Sequence, residues 1–279
     1  MRARFWGTRG SLAAPGPETI RYGGNTSCIE VRPADGSLVI LDSGTGIRAL
    51  GISLNGSIPK RIDILLSHLH LDHLEGLGFF APLWDPSTEL HIWGPSSPTR
   101  SLSDRIAQYL SPPLFPVRLA EIPAKLELHD APEESWTLGS ATVSARPIIH
   151  QGPTVGYRIE EDGKALAYLT DHEPALAADL TSVPAEWVSG YAIAAGADVL
   201  IHDCQYTEAE YPDRAGFGHS STQHVASFAE IAGAQRLILF HHDPNHTDQE
   251  LELLCDRVRE LWHGGTVELA REGEAIDLS

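Results

Sequence analysis

The sequence is poor in cysteine and has no long apolar run. Its three cysteines, Cys28, Cys204 and Cys255, are scattered and form no CxxC pair, which argues against a disulfide framework or a zinc ribbon and fits a reducing compartment. No apolar run approaches the ~20 residues that a membrane span needs, and the N-terminus lacks the apolar segment of a signal peptide. We therefore expect a cytoplasmic protein without a membrane partner.

Positive charge is also scarce. The chain has 20 lysines and arginines against 38 aspartates and glutamates, and its net charge is −18. A surface this acidic repels phosphate backbones at long range, so long nucleic acids are not expected as partners. Small anions stay compatible with this charge where a metal ion binds them, because the ion then dominates the local field.

One stretch concentrates the metal-binding side chains. His68, His70, Asp72 and His73 lie within six residues, directly after the apolar run 62–66, which predicts a buried strand. Residues two apart at the end of an extended segment project to the same side, so the first two histidines can reach one ion. Beyond the bend, the aspartate and the third histidine can face a second ion. A polar loop that caps a strand would explain one or two of these side chains, but not four.

The pattern His68-x-His70-x-Asp72-His73 matches the HxHxDH signature of the metallo-β-lactamase fold hydrolases, so the chain resembles this family. The segments 5–11 and 240–244 resemble a bacterial group of small metal-dependent hydrolases of this family, so the resemblance extends nearly from end to end. The resemblance implies an α/β (α+β) fold: a four-layer αββα sandwich, with two sheets face to face, helices outside and two metal ions at one edge. No repeat, charge block or low-complexity linker divides the chain. We therefore expect a single domain over residues 1–279.

Short apolar runs and amphipathic segments predict the elements of this fold. Strands are predicted at residues 2–6, 27–32, 38–42, 62–66, 89–94, 125–128, 141–147, 154–160, 165–170, 198–203 and 236–240. Helices are predicted at residues 47–54, 103–110, 222–232 and 248–262, and in two pieces at 175–195. The proline-rich segment 95–118 is expected to form a lid over the site, a homodimer interface or a plain surface connection.

A dinuclear site needs further ligands, and zinc chemistry favours histidine and carboxylate at strand ends. His150, Asp171 and His241 follow apolar runs of this kind, with His242 as the competitor of His241. The resemblance assigns His150 to the third family motif, Asp171 to the metal-bridging aspartate and His241 to the final histidine. It also implies that Asp42, in a DxGTG-like loop, supports the histidines rather than binding metal.

The metal sets that follow from the resemblance share one aspartate. The first set is His68, His70, His150 and Asp171, and the second is Asp72, His73, His241 and the same Asp171. Two divalent ions are expected. Zinc is the leading candidate, and manganese and iron are the alternatives. In a true β-lactamase a cysteine stands where this chain has the bridging aspartate.

Two later segments, Leu200 to Tyr206 and Gly218-His219-Ser220, resemble the phosphodiesterase branch, which includes ribonuclease Z and cyclic-phosphate phosphodiesterases. There, the histidine assists the leaving oxygen, so this role is implied for His219, with Asp203 as its orienting partner. Capping of the helix at 222–232 is the structural alternative for this segment. Only residues 151–170 separate the third motif from the bridging aspartate, which leaves no room for the tRNA-gripping arm of ribonuclease Z.

The sequence thus predicts a dinuclear metal-dependent hydrolase. The leading hypothesis is a phosphodiesterase that acts on a small phosphodiester, such as a cyclic nucleotide or cyclic phosphate, by attack of a metal-bridging hydroxide, with Asp72 positioning that nucleophile and His219 protonating the leaving group. The alternative is a carbonyl ester hydrolase, a lactonase or thioesterase, with the same metal site. A metal-stabilised binding module is the third hypothesis.

Overall fold

The computed structural model describes residues 1–54, 56–174 and 179–278. In these ranges, strands and helices are mixed along the chain. Strands β1 to β14 are Arg2–Gly7, Cys28–Arg32, Leu38–Leu41, Arg61–Leu65, Glu89–Gly94, Lys125–Asp130, Trp136–Leu138, Ala141–Pro147, Val155–Glu161, Lys164–Leu169, Val199–Asp203, Arg236–Phe240, Thr266–Leu269 and Ala275–Asp277. Helices α1 to α5 are Ile47–Ser53, Leu102–Tyr109, Tyr191–Ala194, Thr222–Ala232 and Asp248–Leu261. None of these helices is long and apolar enough to cross a membrane.

The strands form two seven-stranded sheets. The first has the order β14-β1-β2-β3-β4-β5-β6, and the second has the order β13-β12-β11-β10-β9-β8-β7. The inner faces meet in an apolar layer in which the ring of Phe240 lies 6.2 Å from that of Phe5 and 5.7 Å from that of Tyr168. Two further apolar clusters lie between the outer faces and the helices. The predicted αββα sandwich is confirmed.

Parallel pairing brings strand ends together at one edge. Strands β3 and β4 pair with Leu41 opposite Leu65, so the residues that follow both strands lie side by side. In the second sheet, β10, β11 and β12 are parallel, with Leu169 opposite His202 and Asp203 opposite Phe240. The carboxyl ends of parallel strands therefore gather the polar residues of both sheets at the same edge.

The predicted elements agree with the structure except at four places, three strands and one helical segment. Strands β7, β13 and β14 were not predicted, because three or four residues at a sheet edge give little alternation and are held by pairing with their neighbours. The prediction of a helix in two pieces at 175–195 was wrong for its described part, which contains two 3₁₀ turns and the short α3. Its remaining part, 175–178, lies outside the described residues.

The proline-rich segment 95–118 contains α2 and a loop that packs partly into the core. Phe115 is buried, and its ring lies 5.9 Å from Phe79 and 6.0 Å from Tyr109, whereas Leu114 is 69% exposed. The hydroxyl of Tyr109 donates to the carbonyl of Glu75, just after the metal motif. These contacts fix the base of the loop beside the site, and a lid or a dimer interface at its exposed tip stays a prediction.

Candidate metal centre

Four side chains from the motif and from two strand ends form a buried cluster. The Nε2 atom of His73 lies 3.1 Å from Asp72 Oδ2, 3.0 Å from Asp171 Oδ2 and 3.2 Å from His241 Nε2. His241 Nε2 is 3.2 Å and 3.1 Å from the same two carboxylate oxygens. Ligands about 2.0–2.2 Å from a tetrahedral cation lie about 3.3–3.6 Å from one another, so this cluster has nearly the dimensions of a metal site.

A second cluster adjoins the first and is open to solvent at His70. His150 Nε2 lies 3.2 Å from His70 Nδ1 and 3.7 Å from Asp171 Oδ1, and His68 Nε2 lies 3.6 Å from that same oxygen. The structure thus brings together both residue sets that the resemblance implies. Asp171 belongs to each, with Oδ1 toward one cluster and Oδ2 toward the other, which is the arrangement of a bridging ligand.

The hydrogen bonds around the clusters fit a metal-binding role. His68 Nδ1 lies 3.0 Å from the hydroxyl of Ser67, which donates to Asp42, so His68 Nε2 carries a lone pair, and this buried atom has no hydrogen-bond partner in the described part of the chain. His150 Nδ1 donates to the carbonyl of Gly218 at 2.9 Å, which leaves its Nε2 unprotonated as well. Burial lowers the pKa of both histidines and keeps them neutral. A divalent cation satisfies such convergent lone pairs and carboxylates.

Asp42 supports the histidines from beneath, as expected. Its carboxylate accepts hydrogen bonds from His73 Nδ1 at 2.9 Å, from the backbone amide and the hydroxyl of Ser67 at 2.7 and 2.9 Å, and from the hydroxyl of Tyr168 at 2.7 Å. The carboxylate therefore fixes the tautomer of His73 directly and that of His68 through Ser67. Its role is to orient the two imidazoles, which is how outer residues tune metal affinity.

The backbone at this edge is strained. Asp42, Asp171 and His241 adopt φ angles of 59°, 50° and 58°, in the left-handed region that non-glycine residues avoid. Each such residue costs of order 1–3 kcal/mol, and this conformation is typical of functional sites, where the surrounding structure imposes it. The bend after each strand turns the carboxylate or imidazole toward the clusters.

His219 and Asp203 form a pair beside the clusters. His219 Nδ1 lies 2.6 Å from Asp203 Oδ2, while the other carboxylate oxygen accepts from the backbone amides of Gln205 and Ser220. Burial alone would lower the pKa of His219, but the adjacent Asp203 carboxylate raises it to about 9. The His219 ring stacks on His241 at 5.1 Å and lies 5.2 Å from His150, so it adjoins one residue of each cluster.

The structure also distinguishes His241 from His242, the two candidates for the final histidine of the site. The ring of His242 donates through Nε2 to the carbonyl of Ala270 at 3.0 Å and is absent from both clusters, so His241 is the residue that faces them. Burial lowers the pKa of His242 to about 3. Ser221 caps α4 by accepting from the amide of His224, so the capping role predicted for this segment exists beside the site role of His219.

A family model describes most of the chain. The beta-lactamase superfamily domain matches residues 39–242, and this span includes every residue of the two clusters. The chain belongs to the beta-lactamase superfamily. The predicted family is thereby confirmed, and the protein is a hydrolase of the metallo-β-lactamase fold.

Individual relatives agree with this assignment. Ribonuclease BN of Cronobacter sakazakii is 26% identical over 297 aligned residues that cover 91% of this chain and 93% of the relative. Among solved structures, the metallo-β-lactamase fold protein YhfI from Bacillus subtilis gives a TM-score of 0.70 at 19% identity over 99% of both chains. A diphosphatase of the PhnP family gives 0.68 at 20% identity over 100% of this chain and 98% of that chain.

Some residues that hold the site could not be inferred from the sequence. Glu173, fully buried, accepts from the hydroxyl of Tyr211 and from the amides of Gly216 and Gly218, and so fixes the loop that carries His219. Gly218 has φ +90°, and a Cβ there would lie 2.1 Å from the ring of His150. The only sequence signal for Glu173 is its place two residues after Asp171, a spacing that carries no chemistry by itself.

We expect Asp42→Asn to weaken metal binding about 10- to 100-fold. Asparagine tolerates the left-handed backbone at this position, but its amide cannot accept all the hydrogen bonds that the carboxylate takes from Ser67, His73 and Tyr168. Competition with a chromophoric chelator measures the change. Asp277→Asn, at a side chain that is 71% exposed, is the matched control. An affinity equal to that of the control would show that Asp42 does not tune the ligands.

Proposed function

We propose that this hydrolase is a phosphodiesterase that acts on small phosphodiesters, such as a cyclic nucleotide or a cyclic phosphate. It would use two divalent metal ions, for which zinc is the leading candidate. The observation that carries the proposal is the place of His219, between a ligand of each cluster and held by Asp203. A phosphodiester releases an alkoxide that needs a proton, and a positioned histidine supplies one. The relative named ribonuclease BN supports chemistry at phosphorus.

The proposal assigns ligands to each metal ion. His68, His70 and His150 would hold one ion, Asp72, His73 and His241 would hold the other, and Asp171 would bridge them through its two oxygens. When bound, two such ions polarise the phosphoryl oxygens and lower the pKa of water, which generates a nucleophile at neutral pH. The donor set of imidazoles and carboxylates is one that zinc accepts, with manganese and iron as alternatives.

In this proposal, side chains of the protein position the nucleophile and supply the proton for the leaving group. Asp72 Oδ2 accepts from the backbone amide of Ser11 at 2.7 Å, so this carboxylate is fixed at the boundary of the buried cluster, where it helps to position the nucleophile. Asp203 holds Nδ1 of His219, which leaves Nε2 as the nitrogen that delivers a proton to the leaving oxygen. Glu173 and Gly218 keep this histidine in place through the loop they fix.

Two observations favour small substrates. The segment between His150 and Asp171 forms the hairpin of β9 and β10, closed by the turn at Asp162 and Gly163, and thus carries no arm for a long polynucleotide. The net charge of −18 repels long anionic chains. Within this charge field, a small phosphodiester is attracted mainly by the metal ions themselves.

We expect a clear preference for a phosphodiester over a carboxylic ester. Protein whose metal content has been quantified should hydrolyse bis(p-nitrophenyl) phosphate with a higher kcat/KM than p-nitrophenyl acetate, relative to the uncatalysed rates. Both substrates release p-nitrophenolate, so one absorbance assay compares phosphorus with carbon. A preference for the acetate would instead indicate a carbonyl ester hydrolase, a lactonase or thioesterase, and would contradict the proposal. Hydrolysis of neither substrate by fully metallated protein would favour the binding module.

A further inference from the structure

A second group of histidines lies on the first sheet, outside the catalytic clusters. His91 on β5 and Glu127 and His129 on β6 place three metal-ligating atoms close together, and none of these residues belongs to the sets that share Asp171. His91 Nδ1 lies 3.0 Å from His129 Nε2, and Glu127 Oε2 lies 3.7 Å and 3.8 Å from those two nitrogens. These separations are close to the edges of a tetrahedral zinc site.

The protonation of His91 favours a ligand role. Its Nε2 lies 3.1 Å from Glu89 Oε1, and because a carboxylate only accepts, the proton of a neutral ring is on Nε2. The lone pair on Nδ1 then faces His129 Nε2 at 3.0 Å, with the two rings nearly parallel at an interplanar angle of 4°. A carboxylate on the outer nitrogen of a histidine is the arrangement that orients metal-ligating imidazoles in proteins.

The surroundings hold the ligands in place and leave an entry path. The ring of His129 stacks on that of Trp93 at a centroid distance of 4.1 Å, and the Trp93 indole donates to Asp63 at 3.0 Å. His91 is buried, while the side chains of His129 and Glu127 are 29% and 48% exposed. An ion therefore reaches the group from solvent and finds two of its three ligands already oriented.

We propose that His91, Glu127 and His129 form a third metal site, which binds zinc or a similar divalent transition metal and leaves one coordination position open to solvent. Two imidazole nitrogens and one carboxylate oxygen are a ligand set that zinc accepts with water in the fourth position. Because β6 is the edge strand of its sheet, the ion joins this edge to β5. The site is independent of the proposed hydrolytic activity, since it shares no residue with it.

A titration of the metallated protein with Zn²⁺ tests the site. We expect the wild-type protein to bind one more equivalent per chain, by calorimetry and elemental analysis, than His129→Ala does, and we expect Zn²⁺ to raise the melting temperature of the wild type but not that of His129→Ala. His263→Ala, at an exposed histidine, is the matched control and should keep the additional equivalent. Glu127→Gln should bind that equivalent at least tenfold more weakly.

The competing explanation is a plain hydrogen bond from His129 to His91. In that case His129→Ala and His263→Ala bind the same amount of zinc and melt alike in its presence, and the third site is refuted. Because both substitutions fall at partly or fully exposed side chains, folding of the variants is checked by their unchanged circular dichroism. If His129→Ala does not fold, Glu127→Gln tests the site in its place. An unaltered zinc affinity in Glu127→Gln also refutes the site.

Discussion

Asp171→Ala is expected to lose nearly all bound metal from both clusters and to reduce kcat/KM about 10³-fold or more. One oxygen of Asp171 lies 3.0 and 3.1 Å from His73 and His241, and the other lies 3.6 and 3.7 Å from His68 and His150. In the proposed assignment, truncation removes a ligand that both ions share, and the loss of the Lewis acidity of the two ions would cost several kcal/mol in the transition state. Elemental analysis and steady-state kinetics measure the two effects.

A second substitution keeps this prediction testable if the alanine variant folds poorly. Asp171→Asn retains one carbonyl oxygen and tolerates the φ of 50°, so we expect it to fold and to keep at most one ion per chain. Asp277→Ala, far along the chain in the edge strand β14, should keep both ions and full activity. Full metal content in Asp171→Asn together with wild-type turnover would show that the carboxylate does not bridge.

The part of the site that could be inferred from sequence is the part that metal chemistry dictates locally. The cluster from His68 to His73 is visible in the sequence as metal-binding residue types at short spacing after a strand, whereas Asp171 and His241, each at the end of another strand, were assigned from the family resemblance. The fold then joins them, because parallel strands end at one edge. Sequence alone favoured His241, which directly continues the buried strand, but could not exclude His242; the strained backbone at His241 turns its imidazole toward the clusters, while His242 bonds to Ala270.

The supporting contacts were beyond prediction for a different reason. The amide of Ser11 bonds to Asp72 across 61 positions of the chain, and the carbonyl of Gly218 bonds to His150 across 68. Backbone groups are identical in every residue, so no residue type marks them as partners. The same holds for the edge strands β7, β13 and β14, whose position is set by the neighbouring strand more than by their own few residues.

His219→Ala is expected to keep both metal ions but to lose turnover selectively. The side chain is in neither set of proposed ligands that share Asp171, so elemental analysis should match the wild type. Loss of a general acid costs about 10²- to 10⁴-fold, and this loss should appear with a cyclic nucleotide, whose leaving alkoxide needs a proton. With bis(p-nitrophenyl) phosphate the loss should be much smaller, because p-nitrophenolate leaves without protonation. An equal loss on both substrates would indicate that His219 only shapes the site.

The pH profile gives an independent measure of the same role. As the acid, His219 must be protonated, so kcat for the cyclic nucleotide falls as pH rises through its pKa. The Asp203 carboxylate raises that pKa to about 9 against the effect of burial, and bound cations oppose it, so the basic limb should lie below pH 9. Asp203→Asn removes the charge that raises the pKa and should move this limb to lower pH, whereas Asp277→Asn should not. A limb that stays in place in Asp203→Asn would mean that another group donates the proton.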